Sequence, residues 1–125
     1  MSAPSEAERP AGQFVCTVDE VGLKRALRVE IDGYAVAVVK DSEGNLYAIG
    51  DACSHGEISL SEGDVEGRTI ECWAHGSSFD LRTGEPLTLP AYEPVPVFDL
   101  TVDGPDVYVD VKNILNGVAA PELEA

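Results

Sequence analysis

Apolar residues along this chain fall in short runs rich in valine, isoleucine and aromatic side chains, and closely spaced turn signals interrupt them before any helical period develops. The pattern predicts an all-β chain. QFVCTV (residues 13–18) reads as a first strand in which Phe14, Cys16 and Val18 alternate onto one face, so Cys16 is expected as a core thiol. ALRVEI (26–31) and YAVAVVK (34–40) flank Asp32 and Gly33, a dipeptide that favours the primed turns matching strand twist. DSEGN (41–45) turns the chain into LYAIG (46–50). VPVFDLTV (95–102) and DVYVDV (106–111) flank a second Asp-Gly pair, Asp103 and Gly104, and are expected to pair as a closing hairpin.

Between Gly50 and Pro94 the texture changes to loops rich in Gly, Ser, Glu and Pro around one strand-like run, RTIECW (68–73). This reads as a subdomain of about residues 51–94, inserted into an antiparallel barrel or sandwich base and carrying the function. A single domain is expected over residues 13–112, between a flexible N-terminus (1–12) and a small, polar, proline-bearing tail (113–125).

Composition narrows the partners. With 125 residues, 44% of them apolar, one core is expected. Twenty-three acidic against eight basic residues give a net charge of −15, which repels phosphate backbones and anionic headgroups, so neither nucleic acid nor membrane is an expected partner. Such charge suits steering toward a basic protein surface, and it serves solubility equally well. No apolar run approaches the roughly 18 residues of a membrane span, and the start lacks a basic and apolar leader, so a cytoplasmic protein is expected. Three cysteines are too few and odd for a disulfide framework, which leaves ligands, catalysts or core residues.

The two histidines each stand beside a cysteine: Cys53 and His55 in DACSHGEIS, Cys72 and His75 in ECWAHGSSF. The pattern C-x-H, sixteen residues, then C-x-x-H puts the pairs on two loops about a hairpin apart, where four ligands can converge. One Cys–His pair alone suits a nucleophile with its base, but the duplication is excessive for that. Zinc takes both ligand types, although a single residue between Cys53 and His55 is tight for two ligands on one tetrahedral ion. A two-iron cluster accommodates the spacing best, with the cysteines on one iron and the histidines on the other.

The full pattern, with glycine after both histidines and GSSFD completing the second loop, resembles the Rieske [2Fe–2S] proteins. The resemblance implies the Rieske iron–sulfur fold and one [2Fe–2S] cluster per chain, with Cys53 and Cys72 as ligands of one iron and His55 and His75 as ligands of the other. It also makes LPAYEP (89–94), with Pro90, similar to the proline-containing loop that covers the cluster. Gly56, Gly76, Ser77 and Phe79 would complete the surroundings.

Where the respiratory-chain type has an extra, disulfide-forming cysteine in each loop, this chain has Ile58 and Ala74; where that type has a hydrogen-bonding tyrosine, it has Phe79, although Ser77 matches the second hydroxyl donor. Rieske centres span roughly −150 to +300 mV, because two neutral imidazoles replace two thiolates. One negative charge about 10 Å away costs roughly 1–2 kcal/mol at an effective dielectric of 20, a shift of tens of millivolts. A highly acidic chain with fewer donors is therefore expected at or below about −50 mV. The midpoint should also fall with rising pH, because the oxidised metal acidifies the remaining imidazole N–H groups.

With both histidines used, no imidazole remains for a mononuclear oxygen-activating iron. The chain thus resembles the small soluble Rieske-type ferredoxins, one-electron carriers rather than enzymes, which pass electrons from a flavin-dependent NAD(P)H reductase to a terminal Rieske oxygenase. A monomer is expected, with His55 and His75 at the electron exit. It is also similar to the small subunit of NADH-dependent nitrite reductase and to ferredoxin-like proteins of iron–sulfur assembly, and a zinc-stabilised interaction module is the reading from a different class. Glu57, Glu62, Asp64 and Glu66, between the ligand pairs, are expected as an acidic docking rim or equally as a solvated face. Trp73 either shields the cluster, docks a partner or packs its own loop.

Overall fold

A computed structural model of the chain describes residues 12–51, 59–73, 77–88 and 94–118. Among these residues nine strands run in chain order: β1 (Gln13–Thr17), β2 (Arg25–Ile31), β3 (Tyr34–Lys40), β4 (Leu46–Gly50), β5 (Asp64–Glu66), β6 (Thr69–Glu71), β7 (Ser78–Asp80), β8 (Val97–Asp103) and β9 (Asp106–Ile114). Six of them form a barrel-like antiparallel sheet in the order β1-β9-β8-β4-β3-β2, and the short β5, β6 and β7 form a second sheet. No helix among the described residues is long and apolar enough to cross a membrane.

The burial pattern explains the strand sequences. Each strand of the large sheet sends a side chain into one interior: Cys16, Ile31, Val36, Ala48, Phe98 and Val109. In β2 the period is two, with Leu27, Val29 and Ile31 facing this interior while Arg28 and Glu30 remain exposed. By contrast β3 is apolar without interruption from Ala35 to Val39, because its middle is buried on both faces. Val36 and Val38 face the barrel interior, while Ala37 and Val39 join Ile49 and Val97 in a second core on the outside of the sheet. The small sheet covers that outer core.

Strands of three residues are too short to stand alone. What holds them is burial: Leu60, Ile70, Phe79 and Leu81 are all fully buried in the outer core, each contributing roughly 1.5–3 kcal/mol of transfer free energy. The insert also starts and ends at one place. Gly50 N–H donates to the Pro96 carbonyl at 2.9 Å, and Ala48 and Ile49 pair with Phe98 and Val97.

The first hairpin turns as its sequence implies, with Asp32 at φ +49° and Gly33 at φ +86°. The second differs by one position: Asp103 and Asp106 are the last paired residues, and Gly104, at φ +62°, and Pro105 make the turn. Among the described residues the insert contains three strands rather than one. Their polar, glycine-punctuated sequences carry too few apolar residues to show a period. The domain end expected after residue 112 falls inside β9, which runs to Ile114; Leu115 N–H then donates to the Val97 carbonyl at 2.7 Å. Cys16 is buried in the barrel, and burial, reinforced by the charge of Glu20, pushes its thiol up, as suits a core residue.

Candidate metal centre

Cys72 follows the last residue of β6 and is fully buried in the outer core. Its N–H donates to the Ser77 carbonyl at 2.7 Å, one step beyond the Glu71–Ser78 pair that joins β6 to β7. The hairpin register therefore places a four-residue connection, residues 73–76, between Cys72 and Ser77. Trp73 begins it and is 58% exposed, so it does not pack into the core. Ser77 is fully buried, and Phe79 pairs with Ile70 with its ring in the outer core, offering no hydroxyl where a tyrosine would.

The ends of the segment that carries the first Cys–His pair, Cys53 and His55, are anchored just as closely. Asp51, immediately after β4, donates its N–H to the Ala35 carbonyl at 3.0 Å, and its own carbonyl accepts from Leu60 N–H at 2.9 Å. Its buried carboxylate accepts from Ser61 N–H at 2.7 Å, from the Ser59 and Ser61 hydroxyls, and from Arg28 Nε at 3.0 Å. Residues on both sides of segment 52–58 are thus tied to one another. The third segment, 89–93, is anchored on both sides too: Ser78 N–H donates to Thr88 Oγ1 and Leu87 N–H to the Ser78 carbonyl, while Val95 N–H donates to the Gly84 carbonyl. Cys53, His55, Gly56, Glu57, Ile58, Ala74, His75, Gly76 and Pro90 lie outside the described residues.

The donor chemistry fits an iron–sulfur centre. Cys72 is a free thiol, and the other described cysteine, Cys16, belongs to the opposite core, across the β3–β4–β8 sheet. Among the described residues no three His, Cys, Asp or Glu side chains gather to hold a metal ion, so the carboxylates provide no competing site there.

Around this site the acidic residues divide. Glu62 and Asp64 are exposed, and Asp64 faces Glu71 directly across β5–β6, a like-charge pair one residue from Cys72. Glu66 instead pairs with Lys24 Nζ at 3.1 Å, an exposed contact of small energetic weight. The same edge is joined to the barrel by Ser42, whose N–H donates to the Gly67 carbonyl at 3.1 Å and whose hydroxyl accepts from Gly67 N–H at 2.9 Å.

Sequence reasoning did not single out Asp51, Gly63 or Asn116. Asn116 Nδ2 donates to the carbonyls of Thr83 and Val95 at 2.9 and 2.8 Å, and its Oδ1 accepts from Val97 N–H at 3.1 Å, stitching the turn after β7 to the start of β8. An asparagine in a polar tail carries no local signal for such a role.

Comparison with known proteins gives a consistent picture. The family described as Rieske [2Fe-2S] domain matches residues 11–99. The 3-phenylpropionate/cinnamic acid dioxygenase ferredoxin subunit of Shigella flexneri is 41% identical over 99 residues, covering 78% of this chain and 92% of its own length. Among solved structures, the ferredoxin of carbazole 1,9a-dioxygenase from Nocardioides aromaticivorans IC177 superposes with a TM-score of 0.73 at 36% identity, covering 79% of this chain and 98% of that one. A ferredoxin-sized chain in a complex of reduced oxygenase and oxidised ferredoxin of carbazole 1,9a-dioxygenase also gives 0.73 at 36% identity, covering 78% and 91%.

Proposed function

Because this chain belongs to the Rieske [2Fe–2S] domain family and so carries a [2Fe–2S] cluster, we propose that it is the ferredoxin of a multicomponent oxygenase system, taking single electrons from a flavin-dependent NAD(P)H reductase and delivering them to a terminal Rieske oxygenase. The observation that carries this reading is the likeness to ferredoxin subunits over nearly their whole length, with strong structural agreement. The cluster supplies a reversible one-electron centre. Cys53 and Cys72 would hold one of its irons and His55 and His75 the other, which uses both histidines of the chain.

The protein's contribution is to hold and tune. Cys72 is presented from the end of β6 out of an apolar core, which excludes water from one side of the site. Ser77, buried beside that hairpin, is the hydroxyl retained near the cluster, while Phe79 supplies none, so reduction is favoured less than in a centre with two such donors. Gly56, Gly76 and Pro90 would border the cluster. Glu57, Glu62, Asp64 and Glu71 form the acidic rim that meets basic partner surfaces, and the carrier works as a cytoplasmic monomer. Anaerobic mixing provides the test. The chain, reduced by such a reductase, should show the rhombic, low-average-g spectrum of a reduced Rieske cluster and reoxidise on meeting a terminal oxygenase. A colourless, zinc-loaded protein would end the proposal.

A further inference from the structure

Only three polar residues are buried among those described: Asp41, Asp51 and Ser77. Asp51 is unusual in where its bonds lead. Its carboxylate has 1% exposure and is paired with Arg28, which reaches across from β2 while also contacting Glu30. A charge so buried needs partners, and among the described residues every partner of this carboxylate apart from Arg28 lies at Ser59 or Ser61. These begin the 3-10 turn Leu60–Glu62, whose Leu60 is fully buried in the same core as Cys72.

That turn ends at Gly63, whose N–H donates to the Leu60 carbonyl at 3.0 Å and which lies so close to β6 that a Cβ there would come within 1.9 Å of the Glu71 carbonyl oxygen. A continuous path therefore runs from Arg28 through Asp51, the serines and the turn to the residue preceding Cys72. The chain has no cysteine at 58 or 74 with which to tie its two ligand loops covalently.

We propose that Asp51 is a positioning residue for the metal centre: through Ser59, Leu60 and Ser61 it holds the base of the first ligand loop against the strand that leads into Cys72. Its negative charge, neutralised by Arg28, takes the structural place of a covalent clamp. The inference rests on the ligand assignment proposed above.

The test uses the whole chain with its cluster. Asp51→Asn keeps the side chain's size but turns one acceptor into a donor facing Arg28 and the serine hydroxyls; Ser59→Ala with Ser61→Ala removes the hydroxyl contacts and leaves the backbone ones. Asp41→Asn, in a buried turn away from the loops, measures the effect of general destabilisation. Both clamp variants should lose visible absorbance to a chelator at least tenfold faster than the parent well below the melting temperature, and Asp51→Asn should shift the g-values of the reduced cluster. Asp41→Asn should do neither. Unchanged g-values and release rates in the clamp variants, or equal changes in Asp41→Asn, overturn the proposal. If Asp51→Asn fails to fold, the serine double variant decides alone through its release rate. Absence of a Rieske signal from the parent would instead remove the ligand assignment.

Discussion

Replacing Gly63 with alanine should force apart two elements that meet beside Cys72. The backbone of Gly63 has φ −86°, which alanine adopts freely, so the cost is steric. An added Cβ would lie 1.9 Å from the Glu71 carbonyl oxygen and 3.0 Å from its carbon, whereas a carbon–oxygen contact needs about 3.3 Å. One side must move by more than about 1 Å. Neither side is loose. The turn is held by the Leu60 and Ser61 N–H groups on Asp51, and Glu71 is paired with both Asp64 and Ser78. Overpacking of this kind costs about 1–3 kcal/mol, and at roughly 4 °C per kcal/mol the melting temperature should fall by about 4–12 °C. Gly33→Ala is the comparison: φ is +86° with nothing within 4 Å of the added carbon, so only the left-handed backbone, about 1 kcal/mol, is at stake. Melts followed by far-ultraviolet dichroism and by visible absorbance separate the two. Gly63→Ala should melt lower than Gly33→Ala and lose its cluster colour sooner at a common temperature below both transitions. A Gly63→Ala protein as stable as Gly33→Ala, or one that bleaches no faster, would refute the argument.

Other expectations follow from single side chains. Asn116→Ala removes four hydrogen bonds, the weakest from Val118 N–H at 3.4 Å, and leaves backbone groups of Thr83, Val95 and Val97 without that partner, so urea unfolding should show a loss of about 2–4 kcal/mol. Asp41 is buried, which alone raises its pKa, yet bonds from the N–H groups of Asn45 and Glu43, the Tyr47 hydroxyl and the Asn45 amide bring it below its ordinary 3.8. Its folded value is thus the lower one, so its contribution is complete above pH 3.8 and disappears as pH falls through the depressed value. Stability measured against pH should show a shallower acid limb in Asp41→Asn than in the parent. A redox titration should place the midpoint at or below about −50 mV, and Phe79→Tyr, which brings a hydroxyl to that buried position, should raise it by tens of millivolts. A parent midpoint above about +100 mV would contradict the first expectation, and no rise in the variant the second.

The fold was largely legible because its strands announce themselves locally. YAVAVVK is apolar up to its final lysine, ALRVEI alternates apolar with polar residues, and Asp32-Gly33 sits between the two runs, so β2, β3 and their hairpin follow from residues a few positions apart. The family was legible for a similar reason: cysteine and histidine at fixed short spacings are informative wherever the chain puts them. The strands β5 and β7 were not, because DVE and SFD have three residues each and owe their conformation to the outer core they cover.

What the amino-acid sequence determined alone was thus the β architecture, the place of the insert and the Cys–His pattern that marks the family, all matters of local pattern. Tertiary structure decided how the loops are held. Asp51 meets Arg28 and Ser61, Gly63 lies against Glu71, and Asn116 bonds Thr83, across separations over which no periodicity persists. Such contacts depend on which buried polar group finds a partner once the sheets have packed, and that choice is made in three dimensions.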